Sequence, residues 1–333
     1  MSRLAAFEGC VLGLAIGDAL GFPTEFRSRA QILESFGPQG VTDFVELQDP
    51  TWPAVPAILG TRHPAGTYTD DTQMTLAVAE GILEAGTEAN LDDQMNAIAR
   101  RFIEWSRADD NDRAPGSTCM TGCANLARGV PWQRSGVEDS KGCGSAMRVA
   151  PIGLLFAHDT ARLIEVAEAS SLLTHGHPAA TAGAAAAALL VAYALEGRPP
   201  ADMFAGLQKE LGGRADDLDS RLAELPTMLD QPPEIALSDA GLGEAWVAEE
   251  AVVSALYCFW RSPADYSQTV ITAINTDGDS DSIAAIAGSI SGAFNGADAI
   301  PERWRTGVEN AGDLSELAAR LYGAADNSPP TTT

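Results

Sequence analysis

Apolar residues recur every three or four positions through most of this chain, and alternating strand-like patterns of any length are hard to find. The pattern predicts helices over 4–16, 74–85, 94–106, 147–156, 161–173, 179–195, 245–260, 267–274 and 283–294, so the expected fold class is all-α. The stretch HPAATAGAAAAALLVAYALEG is apolar on every side and built on alanine, the best helix former. It predicts a central, closely packed helix rather than a membrane span. Residues 38–66 hold Pro38, Pro50, Pro53, Pro56, Pro64 and Trp52 without a clean period and read as a long ordered excursion. Residues 197–243, rich in Pro, Gly and Asp, read as a polar helical insertion, and 325–333 as a frayed tail. With no repeat or linker in view, one domain over 1–324 is expected.

Two acidic turns interrupt this pattern. In INTDGDSDSIAAIAGSISGA, Asp277, Asp279 and Asp281 occupy alternate positions directly before an apolar helix. A helix would send Asp279 and Asp281 to different sides, whereas a turn feeding a helix N-terminus can aim both at one spot. One aspartate there is an ordinary cap, but three packed carboxylates repel one another unless cations lie among them. GTYTDDTQMTLAVAEGIL supplies a second such turn, with Thr69 as N-cap and Asp70, Asp71 and Thr72 in the first turn of a helix whose apolar face begins at Met74. Thr69, Asp70, Asp71, Asp279, Asp281 and Ser282 are all hard oxygen donors, suited to Mg²⁺ or Mn²⁺ and lacking the His or Cys that zinc prefers. If the fold brings the runs together, they form a two-metal site. They lie about two hundred residues apart, so a shared site requires distant parts of one domain to meet.

Composition narrows the classes further. The 333 residues are 45% hydrophobic and 20% charged, an ordinary soluble globular balance. A formal charge of −25, with 21 Lys and Arg, argues against a broad nucleic-acid-binding face and favours attraction of divalent cations. The five cysteines, Cys10, Cys119, Cys123, Cys143 and Cys258, form no C-x-x-C pair, and no secretory segment opens the chain; a cytoplasmic, reducing setting is expected. Cys119 and Cys123 share a helix face and read as core packing.

Five ordered blocks, GCVLGLAIGDALGFPTEF, YTDDTQMTLAVAEGIL, GCGSAMRVAPIGLL, SLLTHGHPAATAG and NTDGDSDSIAAIAGSISGAFNG, resemble the ADP-ribosylglycohydrolase family, including the dinitrogenase reductase-activating glycohydrolase type. The resemblance runs from about residue 4 to about residue 305. It implies a compact multi-helix orthogonal bundle and a binuclear centre of two Mg²⁺ or Mn²⁺ ions. It also implies hydrolysis of the bond between ADP-ribose and an acceptor, either a modified protein side chain or a small conjugate, by a monomer. Another two-metal hydrolase acting on phosphoesters, or a non-catalytic relative that binds ADP-ribose, is the alternative. The resemblance assigns Thr69, Asp70, Asp71, Asp279, Asp281 and Ser282 to the metals, with Asp70, Asp71 and Asp281 also catalytic. Glu25 is implied to be a gate over the metals or an acid/base.

On the same resemblance, Gly142, Cys143, Gly144, Ser145, Met147 and His175 line the ADP-ribose path, with glycine-loop N–H groups turned toward a pyrophosphate. Many members carry Asn where this chain has Cys143. Arg148 either contacts phosphate or braces the loop, and His177 is a weaker candidate than His175. Asp277 stands where small residues are usual and is expected outside the ligand set. Asp18 is expected to bond backbone at the end of the first helix or to stand behind the ligands. Asp109, Asp110 and Asp112 lie near a region where some relatives place a further carboxylate. The acceptor, arginine, serine or another group, is left open.

Overall fold

The computed structural model describes residues 2–46 and 63–326, so most of the proline-rich excursion and nearly all of the tail lie outside the described residues. Helical periodicity becomes helices almost everywhere it occurs. In chain order these are α1 Arg3–Gly21, α2 Arg29–Phe36, α3 Asp70–Ala85, α4 Leu91–Trp105, α5 Ser117–Ala127, α6 Ala150–Leu155, α7 Thr160–Leu172 and α8 Pro178–Leu195. They continue with α9 Pro200–Leu211, α10 Asp216–Met228, α11 Pro233–Ala236, α12 Ala248–Arg261, α13 Tyr266–Ile274, α14 Ser280–Asn295, α15 Glu302–Gly307 and α16 Ala311–Asp326. The fold is all-α, without a sheet among the described residues, and isolated β bridges such as Val137–His175 and Gly142–Val247 tie loops together.

Small residues decide how the centre assembles. In α1, Gly9, Gly13, Gly17 and Gly21 recur every fourth position and therefore form one stripe down the helix. A Cβ on Gly9 would stand 2.2 Å from the Gly292 carbonyl oxygen, one on Gly13 2.4 Å from that of Gly288, and one on Gly17 2.1 Å from that of Ala284. A Cβ on Gly21 would stand 2.4 Å from Asp281 Cα. The two helices thus lie backbone on backbone and antiparallel, and the end of α1 meets the start of α14. Gly13→Ala should lower stability by about 1–2 kcal/mol, because overpacking costs about 1–3 kcal/mol and alanine's better helix propensity returns at most about 1 kcal/mol. A thermal midpoint at or above the parent value would show that the stripe tolerates side chains.

Helix α8 is the alanine-rich segment; its residues 184–194 are all buried, which fits a helix apolar all round. Both α1 and α8 are long and apolar enough to cross a membrane, but 83% of each apolar window is covered by the rest of the protein. Two expected helices start later than the apolar pattern suggests. The 147–156 run is helical only over Ala150–Leu155, after a 3₁₀ turn at Cys143–Ser145 that precedes it. The 245–260 run starts its helix at Ala248, because Ala245 adopts φ +66° and turns the chain out of helical geometry. The 197–243 insertion contains α9, α10 and α11. Residues 41–46 follow no regular element; Asn275 pins Val41 by donating to its carbonyl and accepting from its N–H, both at 2.8 Å.

Candidate metal and substrate site

The antiparallel α1–α14 pair places the Asp279–Ser282 turn beside the last turn of α1, and Asp18 links the second acidic turn to the same place. Asp18 is fully buried and accepts the Thr69 N–H (2.9 Å), the Thr72 N–H (2.9 Å) and the Thr72 hydroxyl (2.5 Å). A carboxylate at a helix N-terminus satisfies N–H groups that have no partner inside the helix. Of the two placements expected for it, its bonds match the one behind Asp70 and Asp71, at the start of α3, and not the one at the end of its own helix. Asp18 therefore fixes where Asp70 and Asp71 point.

Five carboxylates converge on one cleft of about 290 Å³: Glu25 after α1, Asp70 and Asp71 on α3, and Asp279 and Asp281 at α14. All five residues are at most 7% exposed. Carboxylate oxygens of Glu25, Asp279 and Asp281 lie within 4.8 Å of one another. Asp70 accepts the Gly116 N–H at 3.1 Å, Asp281 the Ser282 N–H at 3.0 Å, and Asp279 the Cys143 thiol at 2.8 Å. Glu25 Oε2 and Asp71 Oδ2 are buried without a hydrogen-bond partner. Burial, with the neighbouring Asp18 and Asp279 charges added, pushes Asp70 up to about 8. Burial first, then the Coulomb repulsion of Asp281 and the other aspartates, holds Glu25 well above the carboxylate range. Asp71 and Asp281 are raised in the same way, and Asp279 is raised by burial. Unpartnered buried oxygens among like charges are the donor set that a divalent cation completes, and the residues fit one.

The opposite wall is neutral. Gly142, Cys143, Gly144 and Met147 line it together with His175, whose Nε2 lies 3.0 Å from where a Cβ on Gly142 would stand. His175 Nδ1 is 2.7 Å from the Thr174 hydroxyl, which also accepts from Arg148 at 2.8 Å. Burial, helped by the Arg148 charge, lowers His175 to about 3, so the ring is neutral. Arg148 itself is fully buried, donates to the Ser170 carbonyl at 3.0 Å and stacks over Phe102. It braces the loop from behind and does not line the cleft.

Several expected site residues lie elsewhere. Ser145 is fully buried and donates to the Ala180 carbonyl at 3.1 Å, because the 3₁₀ turn directs it into α8 and away from the cleft. Thr69 is also fully buried and is not among the lining residues; its hydroxyl accepts the Asp71 N–H at 3.3 Å as the α3 cap. Cys143 N–H is engaged by the Trp246 carbonyl at 3.3 Å, so that amide does not face the cleft as expected. His177 caps α8, accepting from Ala179 N–H, while Asp277, expected outside the ligand set, accepts the Arg29 N–H at the start of α2. Asp109, Asp110 and Asp112 do not line the cleft. Cys123 is core, whereas Cys119 reaches the cleft wall.

Sequence reasoning missed Phe26, Trp246 and the start of α5, where Gly116, Ser117 and Thr118 line the cleft. The α5 start carries no side-chain cap, leaving N–H groups without partners inside the helix, and a glycine cap gives little signal in sequence.

The sequence profile of the ADP-ribosylglycohydrolase family matches residues 1–330. An uncharacterized protein of Archaeoglobus fulgidus is 37% identical over 321 residues, covering 95% of each chain. The Homo sapiens ADP-ribosylhydrolase ARH3 is 30% identical over 360 residues, covering 96% of this chain and 93% of its own. A solved structure described as an ADP-ribosylglycohydrolase-related protein complex superposes with a TM-score of 0.70 at 27% identity, covering 97% of this chain and 99% of that one.

Proposed function

The chain belongs to the ADP-ribosylglycohydrolase family, and from that membership we propose that it adds water across the bond between ADP-ribose and an acceptor, releasing ADP-ribose and the protonated acceptor. The acceptor is a modified protein side chain or a small conjugate. The observation that carries the reading is the set of five buried carboxylates, two with unpartnered oxygens, facing a neutral glycine-lined wall across one cleft.

In this reading Asp70, Asp71, Asp279, Asp281 and Ser282 hold two Mg²⁺ or Mn²⁺ ions, with Thr69 fixing the Asp70–Asp71 turn through its cap. Such ions, when bound, supply positive charge for ribose hydroxyls and for the attacking water. Asp70, Asp71 and Asp281 orient that water toward the anomeric carbon, where positive charge develops as the glycosidic bond breaks. Glu25 faces the same point and moves a proton between water and the departing acceptor. Thr174 accepts from Arg148, a donor only, and gives its own proton to His175 Nδ1. His175 Nε2 then carries the ring proton as a neutral donor toward the nucleotide. The uncapped start of α5 offers N–H groups and a positive dipole end to phosphate oxygens.

Product analysis with Mg²⁺ or Mn²⁺ tests this. Incubation with peptides bearing ADP-ribose on arginine or on serine should release free ADP-ribose from at least one. Phosphate release from esters, with both ADP-ribosyl peptides intact, would replace this reading by a two-metal phosphoester hydrolase. Binding of ADP-ribose without any turnover would make the chain a non-catalytic relative.

A further inference from the structure

We propose that Phe26 and Trp246 form an aromatic latch that holds Glu25 over the cation site, which makes Trp246 a positioning residue of the reaction; this rests on the proton-moving role given to Glu25 above. The two rings stack with centroids 5.3 Å apart and planes 20° apart. Phe26 is the next residue after Glu25, so the stack fixes the chain at the point from which the carboxylate projects. Glu25 Oε2 itself has no hydrogen-bond partner, which leaves the backbone to aim it.

Backbone strain marks both ends of this contact. Phe26 has φ +61° and Ala245, directly before Trp246, has φ +66°. With Ala114, a cleft residue at φ +54°, they are three of the four non-glycine residues with positive φ among the described residues. Such conformations persist only where surrounding contacts impose them. The contacts here are specific. Phe26 N–H donates to the Gly278 carbonyl at 3.3 Å, and the Trp246 indole N–H donates to Glu244 Oε2 at 3.1 Å. Asp279 N–H donates to the Glu244 carbonyl at 2.9 Å, so the loop carrying Trp246 is bonded to a cation-site residue as well as to Cys143.

The magnitudes favour a contact that opens. An aromatic pair adds only a modest stabilisation beyond its burial, and left-handed backbone at a non-glycine residue carries a cost of comparable size. The strain at Phe26 and Ala245 works against the stack, and Trp246 is 39% exposed, one of three large apolar side chains so exposed among the described residues. Separating the rings loses the stack but releases the strain, so Glu25 is held without being locked.

The test uses the full chain with Mg²⁺ or Mn²⁺ and the ADP-ribosyl peptide that the parent cleaves. Trp246→Ala and Phe26→Ala should each lower kcat about tenfold, with KM and calorimetric cation affinity within about threefold, and Trp246→Phe should recover most of the loss. A residue acting through Glu25 has nothing further to lose once Glu25 is changed, so Trp246→Ala in a Glu25→Gln background should leave kcat within about twofold of Glu25→Gln alone. Multiplying effects in the double variant, a rise in KM alone, or a loss of cation affinity matching the loss of kcat would each overturn the latch. A substrate-free arm keeps the two readings apart. The Trp246 contribution to fluorescence, taken as parent minus Trp246→Phe, should become more accessible to acrylamide in Phe26→Ala. Unchanged quenching overturns the latch even if the enzyme turns over, while a parent that cleaves no ADP-ribosyl linkage overturns the proposed function and leaves quenching to decide the latch.

Discussion

Removal of divalent cations is expected to abolish release of ADP-ribose, and Mg²⁺ or Mn²⁺ to restore it, while the helical circular-dichroism signal barely moves. Every donor in the proposed ligand set is a hard oxygen placed by helix ends that pack without the ion: Asp18 fixes the start of α3, and the glycine stripe fixes the start of α14. Full turnover in excess chelator would end the metal reading. Stability should respond in a way that a simple cap does not predict. Burial raises the site carboxylates, so the cation-free folded state holds protons that the unfolded chain releases near pH 4. Stability of the cation-free protein is therefore fully present below about pH 4 and falls as pH rises through the folded values, about 6 for Asp18 and about 8 for Asp70. Mg²⁺ binds the ionised folded site and opposes that fall, by about 2.7 kcal/mol at a hundred times its dissociation constant. Thermal midpoints at pH 5 and pH 8, with chelator and with Mg²⁺, should show a loss between the two pH values in chelator that Mg²⁺ reduces. Parallel midpoints under both conditions would show that no cation binds among these carboxylates.

The all-α class was legible because the period of apolar residues is local information. The meeting of TDD and DSDS was legible only as chemistry, since each run lacks what the other supplies. What brings them together also stands in the sequence, in the four-residue spacing of Gly9, Gly13, Gly17 and Gly21, but the spacing names no partner; the small positions of α14 that receive it lie far along the chain. Trp246 was hidden differently. Its neighbours form an apolar run that continues a helical pattern, and only the left-handed Ala245 takes it out of the helix and onto the rim. Ser145 shows the reverse error, since a residue in a promising motif faces the core once the motif folds as a tight turn. Motif membership pointed to a loop that lines the cleft and could not say which of its side chains face it.

Glu25→Gln and Asp281→Asn should fail in different ways. Both replace a carboxylate by an amide of the same shape, and both sites lie in the same cluster of oxygens. Asp281 sits in the first turn of α14 with one oxygen held by the Ser282 N–H, while Glu25 projects from the segment between α1 and α2. In the proposed reading, a fixed carboxylate at a helix start serves the cation, and one on a latched segment serves the proton. Asp281→Asn is expected to lower cation affinity more than about a hundredfold, beyond the 10–100-fold seen for groups that only support a ligand. Turnover should then be lost at any practical Mg²⁺ concentration. Glu25→Gln should keep cation affinity within about tenfold and lower kcat by about 10²–10⁴, the usual contribution of a positioned acid or base. Calorimetric titration with Mg²⁺ or Mn²⁺ on both variants, beside turnover of one ADP-ribosyl peptide, separates the cases. If Glu25→Gln loses cation binding as severely as Asp281→Asn, Glu25 is a permanent ligand. The proximity of its oxygens to those of Asp279 and Asp281 would then be coordination geometry, and the gate would have to be given up.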